Sequence, residues 1–526
     1  MSHSARAVMV LGTGSHVGKS LITAALCRIF ARQGYRVAPF KAQNMSLNSA
    51  ATPEGFEIGR AQALQAEAAG VPASVHMNPV LIKPSGDMTS QVIVHGKIWA
   101  QLSASDYHRR RVEELTPHIR ESYEALAAQN DVIVLEGAGS PAEINLKDRD
   151  VVNMRMAKLA GAACILAGDV DRGGVFASLL GTMELLDPSE REQIAGFVIN
   201  KFRGDLSLLT PGIEMMEARI GKRCLGVLPW MHDLSLDEED SVGLAKVQHR
   251  AVWQSGNGSP DRPLRVAIVA LPTFSNFTDF DSLRSEPSIE VHFCRSVEAC
   301  READLLILPG SKQTMDDFAW MQKQGLDAFV KDYAKTGLVI GICGGMQILG
   351  ESIHDPDAVE RNGSMQTLGL LPIATTMQIV KTTTPTNGTV IASNLFGAPT
   401  DSQSISGYEI HVGRTDYLNT AIPFAEIVRA GDDRPHLDGC VSKNSRVFGT
   451  YLHGIFDADT FRHNLLRAAR KATGLNDPVA VTNWRSLRSA AMDRLADTVE
   501  NHLDMNSIFN LAGLTYEARP AAGSPR

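Results

Sequence analysis

Cysteine is scarce in this chain. Its seven thiols are scattered over 526 residues and never form a CxxC pair. That spacing excludes a disulfide framework, supplies no zinc-ligand pattern, and suits a reducing compartment. A basic excess is missing too: 51 Lys and Arg stand against 59 Asp and Glu, a formal charge of −8. No surplus of cations is available to neutralise nucleic-acid phosphates or to dock on an anionic membrane. Long apolar runs are absent, and none approaches the roughly 20 residues of a membrane span. The opening MSHSARAVMVLGTG runs straight into a glycine loop, without the apolar core of a secretion signal. The expectation is a cytoplasmic globular protein with neither nucleic acid nor membrane as partner. Nothing in the composition sets an oligomeric state.

What is present is apolar residue, 44% of the chain, in a length that exceeds one ordinary domain. Short apolar runs at Ala7–Leu11, Val132–Leu135, Cys164–Ala167 and Gly196–Ile199 read as buried strands. Leu21, Ile22, Ala25, Leu26, Ile29 and Phe30 recur at helical spacing after the first of them. The turn-rich run QSGNGSPDRP at 254–263 reads as a linker. Beyond it the pattern restarts, with strand candidates at Arg265–Leu271, Leu305–Leu308 and Leu338–Ile342. Alternating strands and helices imply two doubly wound α/β domains. Residues 1–253 form the first and 264–461 the second. Residues 462–526 form a helical extension ending in the polar tail ARPAAGSPR, which is expected to be disordered.

The first candidate site opens where the first strand ends, at Gly12-Thr13-Gly14-Ser15-His16-Val17-Gly18-Lys19-Ser20. Holding a phosphate takes closely approaching backbone N–H groups, a lysine charge, and a hydroxyl for magnesium. Gly18-Lys19-Ser20 has these parts, and the following helix aims its positive end at the anion. Ordinary P-loop spacing would put glycine at Thr13. Gly12 lies one residue further back, so this loop is one residue longer. Other polar residues sit at predicted strand ends, where open α/β sheets place ligands. Glu136 opens Glu136-Gly137-Ala138-Gly139 and is placed to hold magnesium. Asp169 and Asp171 precede Arg172-Gly173-Gly174, and Asn200-Lys201 is placed to touch a purine. Capping a helix or turn is the ordinary alternative for each.

The second candidate site is Leu338-Val339-Ile340-Gly341-Ile342-Cys343-Gly344-Gly345-Met346-Gln347, a strand entering a sharp turn and then a helix. A cysteine at such an elbow projects from the strand end, and nearby glycines let backbone N–H groups receive an oxyanion. Most cysteines are simply small buried hydrophobes, but the flanking glycines argue otherwise here. His453, after the strand candidate Val447–Leu452, suits the role of base.

These residues carry a resemblance. The extended loop, Lys41 within Phe40-Lys41-Ala42-Gln43-Asn44, and the Glu136 motif resemble the dethiobiotin-synthetase-like branch of P-loop enzymes, which use ATP to activate a carboxylate. The segments KAQNMSLNSA, EIGRAQALQAEAAGV, MNPVLIKPSGD, EGAGSPAEINL, DVDRGGVFASL and NKFRGD are similar to those of the cobyric acid synthase family, the glutamine-hydrolysing amidases of corrinoid (vitamin B12) assembly. That likeness runs over nearly the whole chain. The second half resembles a class I glutamine amidotransferase domain of the cobyrinate type.

The resemblance implies a P-loop NTPase-like N-terminal domain and an amidotransferase C-terminal domain, with ATP, Mg2+, glutamine and a corrinoid as ligands. Gly12, Thr13, Gly14, Val17, Gly18, Lys19, Ser20, Asn200 and Lys201 would bind nucleotide. Ser20, Glu136 and Glu57 would hold Mg2+, and Lys41 would neutralise charge on the transferred phosphate. Asp148, in Asn145-Leu146-Lys147-Asp148-Arg149-Asp150, would stabilise intermediates near the corrinoid. Cys343 and His453 would release ammonia from glutamine, with Gly310, Gly344, Gln347 and Tyr408 at the glutamine pocket. Common class I domains carry a glutamate two residues after the histidine, where this chain has Ile455. What orients His453 is therefore open, and a modest intrinsic glutaminase is expected. The implied reaction is amidation of the b, d, e and g arms of adenosylcobyrinic acid a,c-diamide. The sister enzyme amidating the a and c arms is the nearest alternative. A ParA/MinD-type ATPase switch is the alternative of another class, although it would carry a lysine at Gly14 and has no use for Cys343.

Overall fold

The computed structural model describes residues 5–85, 89–103, 106–107, 111–231, 234, 236, 253, 259–400, 402–418, 420–478 and 480–518. Linker positions 254–258 and the tail from 519 onward, including its expected disorder, lie outside the described residues. No described helix is long and apolar enough to cross a membrane.

The first half is built on a six-stranded parallel sheet in the order Arg223–Pro229, Ile194–Phe202, Ala163–Asp169, Arg6–Gly12, Val132–Glu136, Val37–Phe40. Its central strands are continuous apolar runs because helices cover both faces. Residues 43–103 add a four-stranded sheet, Gln43–Met45, Val80–Ser85, Thr89–Val94 and Lys97–Ser103, that hydrophobic periodicity had not revealed.

The second half has five parallel strands in the order Ile289–Cys294, Leu264–Val269, Leu305–Leu308, Leu338–Ile342, Val447–Thr450. Antiparallel strands, among them Asp432–Val441, Ile422–Arg429, Ile373–Val390 and Ser404–Tyr417, extend this sheet to eleven. It is α/β, doubly wound only in its parallel part. The helix Asp459–Ala472 buries Phe461, Leu465 and Leu466 in this half's core, so a boundary after 461 cuts through it.

The last two helices, Trp484–His502 and Met505–Leu511, return to the first half. Leu495, Val499, Ile508 and Phe509 join Ile22, Leu26 and Phe30 in one buried cluster. The Phe30 and Phe509 rings stand 4.4 Å apart. Arg32 pairs with Asp493 and Asp497 at 2.6 Å each. Burying each such apolar side chain contributes about 1.5–3 kcal/mol, so these helices serve as the outer layer of the first sheet.

Candidate active site

Each cluster lies at the carboxyl ends of adjacent parallel strands. In the first half the chain leaves Arg6–Gly12, loops, and enters the helix Lys19–Arg32 at Gly18, whose φ is 100°. A Cβ there would stand 2.1 Å from the Asn200 amide nitrogen, so only glycine fits. Lys19 Nζ donates to the carbonyls of Gly14 (2.8 Å) and Gly139 (3.0 Å), tying the loop to the Glu136-Gly137-Ala138-Gly139 turn. Glu136 Oε1 accepts from Ser20 Oγ and pairs with Lys41 Nζ, both at 2.9 Å, while Gln65 Nε2 donates to Oε2 at 2.6 Å. Glu136 and Lys41 are buried. A serine hydroxyl and a carboxylate are hard oxygen donors beside two lysines, a set that fits Mg2+ and phosphate.

Asn200, expected at a purine, is tied to the phosphate loop. Its Nδ2 donates to Val17 O at 2.8 Å and holds the loop. Lys201 Nζ reaches His16 O (2.5 Å) and Asp169 Oδ2 (2.8 Å), again supporting the loop. Asp148 is exposed on the short 3-10 turn Lys147–Arg149.

Glu57 corrects an expectation. It does not join Ser20 and Glu136; it is buried against the second half, where Lys83 Nζ lies 2.6 Å from Oε1 and Lys381 bonds Oε2. Burial alone would raise its pKa, but Lys381 and Lys83 hold the carboxyl well below the usual range. Two ammonium partners already neutralise it, so it is no magnesium ligand.

In the second half, Cys343 follows the strand Leu338–Ile342 with φ 51° and opens the helix Gly344–Leu349. That left-handed backbone is costly for a non-glycine residue and marks the elbow. The strand Leu305–Leu308, next in the sheet, delivers Gly310, where a Cβ would come within 3.0 Å of the His453 ring. Gly344 packs equally tightly, with space for a Cβ only 2.9 Å from Ser311 N. On the other side Val447–Thr450 delivers His453. Gln347 lines the same cavity as Cys343 and donates to Tyr451 OH at 3.1 Å.

His453 is held by a residue that the sequence reading missed. Its Nδ1 lies 2.6 Å from Asp279 Oδ2, and Asp279 Oδ1 accepts from Gly454 N at 3.0 Å. Both side chains are buried. Burial pushes the His453 pKa down, but Asp279 and a hydrogen-bonded Cys343 carry it up to about 10. Asp279 occupies the role left open by Ile455. Its only local sign was its position in Asn276-Phe277-Thr278-Asp279, beyond the carboxyl end of Leu264–Val269.

Tyr408 is a second correction. Its ring stacks on His453 (5.4 Å between centroids), and the two backbones exchange hydrogen bonds of 3.1 and 2.9 Å. It does not line the cavity beside Cys343. Its hydroxyl donates to Ser49 O at 3.3 Å, and Asn276 Oδ1 accepts from Ser49 N at 3.0 Å. A first-half segment thus braces both neighbours of the histidine.

Comparison with known proteins matches residues 8–242 to the CobQ/CobB/MinD/ParA nucleotide binding domain. Residues 265–461 match the CobB/CobQ-like glutamine amidotransferase domain. Over 512 residues the chain is 45% identical to a cobyric acid synthase of Moorella thermoacetica, covering 97% of this chain and 98% of that one. One from Sorangium cellulosum is 48% identical over 524 residues, covering 97% and 99%. One from a Thermoanaerobacter species is 45% identical over 509 residues, covering 96% and 98%.

Proposed function

The chain belongs to the cobyric acid synthase family, and from that premise we propose that it amidates the b, d, e and g carboxylates of adenosylcobyrinic acid a,c-diamide. It is an ATP-dependent, glutamine-hydrolysing ligase of cobalamin biosynthesis. One observation carries the reading: a phosphate loop with the Lys41–Glu136 pair and a Cys343–His453–Asp279 set share one chain.

Cys343 attacks the side-chain amide carbon of glutamine, and the thiol's proton passes to His453 and from there to the departing nitrogen. Ammonia leaves, and a glutamyl thioester remains for water to hydrolyse. Asp279 holds the ring and balances its charge. At the other site the γ-phosphoryl group of ATP passes to a corrinoid carboxylate, with Lys19 and Lys41 neutralising the charge that moves. Ser20 and Glu136 would hold Mg2+, which supplies further neutralisation of the phosphates. Ammonia then displaces phosphate from the acyl phosphate and leaves the amide.

The test is mass spectrometry of corrinoid products formed with ATP and glutamine. Cobyrinic a,c-diamide should show successive acid-to-amide changes ending at the fourth. Cobyrinic acid converted only at its a and c arms would assign the chain to the sister reaction, and no turnover of any corrinoid would overturn both.

A further inference from the structure

The cavity beside Cys343 is walled by charge. Lys83, Lys312, Lys381 and Glu360 line it together with Cys343 and Gln347. Lys83 and Lys381 are both engaged by Glu57. Glu360 accepts from Thr314 N at 2.6 Å, where it caps the helix Thr314–Lys323. Three lysines thus face two carboxylates, leaving one cation unbalanced. Among the three, Lys312 is the one whose side chain makes no hydrogen bond or ion pair within 4.0 Å among the described residues, and Glu360 attracts it only from farther off. A poorly solvated ammonium without a close partner is costly, and an anion entering the cavity relieves that cost.

Position narrows the anion. Lys312 follows Gly310-Ser311, the turn that packs against His453 and Gly344, and its N–H donates to Thr273 O at 3.0 Å. A ligand that reaches both Lys312 and Cys343 is small. It must carry an anion for Lys312, a cation for Glu360 and an electrophilic carbon for the sulfur. A free α-amino acid with a side-chain carbonyl satisfies all three.

We propose that Lys312 and Glu360 form the clamp for the α-carboxylate and α-ammonium of free glutamine, setting its side-chain amide against Cys343. Lys312 takes the carboxylate because Lys83 and Lys381 are already held by Glu57. Glu360 takes the ammonium through the capacity left by its helix-capping bond. Burial lowers the Lys312 pKa and Lys83 adds to the effect, while burial raises Glu360 to about 8 against the pull of Lys312. Binding a zwitterion favours the charged form of each. Glu57 and Lys83 come from the first half, so both halves build the wall of this pocket. The proposal rests on Cys343 being the glutaminase nucleophile.

The experiment is steady-state kinetics of ammonia release by the full chain, Lys312→Met and Glu360→Gln. The substrates are L-glutamine, 4-aminobutanamide (no α-carboxylate) and glutaramate (no α-ammonium). Losing a charged hydrogen bond made equally in ground and transition states should raise KM for glutamine about 10- to 100-fold with little change in kcat. Lys312→Met should also lose the preference for glutamine over 4-aminobutanamide while keeping that over glutaramate. Glu360→Gln, which retains an acceptor for Thr314 N, should do the reverse. Ammonium-driven amidation, which bypasses this pocket, reports that the fold and the other site survive. An unchanged glutamine KM in folded Lys312→Met overturns the clamp. Ammonia release that persists in Cys343→Ala overturns the nucleophile assignment itself, whatever Lys312 does.

Discussion

His453 Nδ1 and Asp279 Oδ2 lie 2.6 Å apart although 174 positions separate them in the chain. With Nδ1 engaged, Nε2 is the ring nitrogen left for Cys343. Asp279→Asn keeps the shape but removes the charge that holds the imidazole protonated and oriented. Glutamine-driven amidation should fall by about 10²-fold or more, while added ammonium should restore it. Assays with each nitrogen source, run side by side, check this. Equal loss with both would make Asp279 a purely structural residue.

The two halves should separate by nitrogen source. Cys343→Ala is expected to abolish amidation from glutamine and keep amidation from ammonium, because the sulfur is needed to make ammonia and not to use it. Lys19→Ala should lose both, since no acyl phosphate forms without positioned ATP. Ammonium-driven activity retained in Lys19→Ala would remove the phosphate loop from the reaction.

Glu57 bears on stability, not on magnesium. Glu57→Gln leaves Lys83 and Lys381 buried without their shared anion. Breaking a buried ion pair from one side costs about 3–5 kcal/mol. Denaturant titration should show that loss, and the Mg2+ concentration for half-maximal activity should not move.

Leu495 is buried in the helix Trp484–His502 and packs with the helix that follows the phosphate loop. Leu495→Ala should destabilise the first half by about 2–5 kcal/mol. Hydrogen exchange should locate the loosening in Lys19–Arg32, with weaker ATP binding as its consequence.

His453 also makes stability depend on pH. Its folded pKa of about 10 lies above its ordinary 6.5. The stability it contributes is therefore full below about 6.5, declines as pH rises, and is gone above about 10. The thermal midpoint should fall across that window. In Asp279→Asn the fall should be shallower, and an unchanged slope would assign it to other groups.

Much of the chemistry was legible in short segments. The phosphate loop and the Cys343 elbow are strand-to-helix junctions, and their shape depends on a few adjacent residues. Gly18 before Lys19-Ser20 and Cys343 before paired glycines are therefore visible without a fold. Several strands were legible for a related reason: both faces are covered, so their residues are uniformly apolar. By itself, then, the sequence determined two α/β halves, a loop for phosphate and a cysteine on an elbow. Only the tertiary structure decided that Asp279 orients His453, that Glu57 serves lysines instead of magnesium, and that the last helices cover the first sheet. Each of these depends on which distant side chains packing brings within hydrogen-bond or van der Waals reach, and no local spacing encodes that.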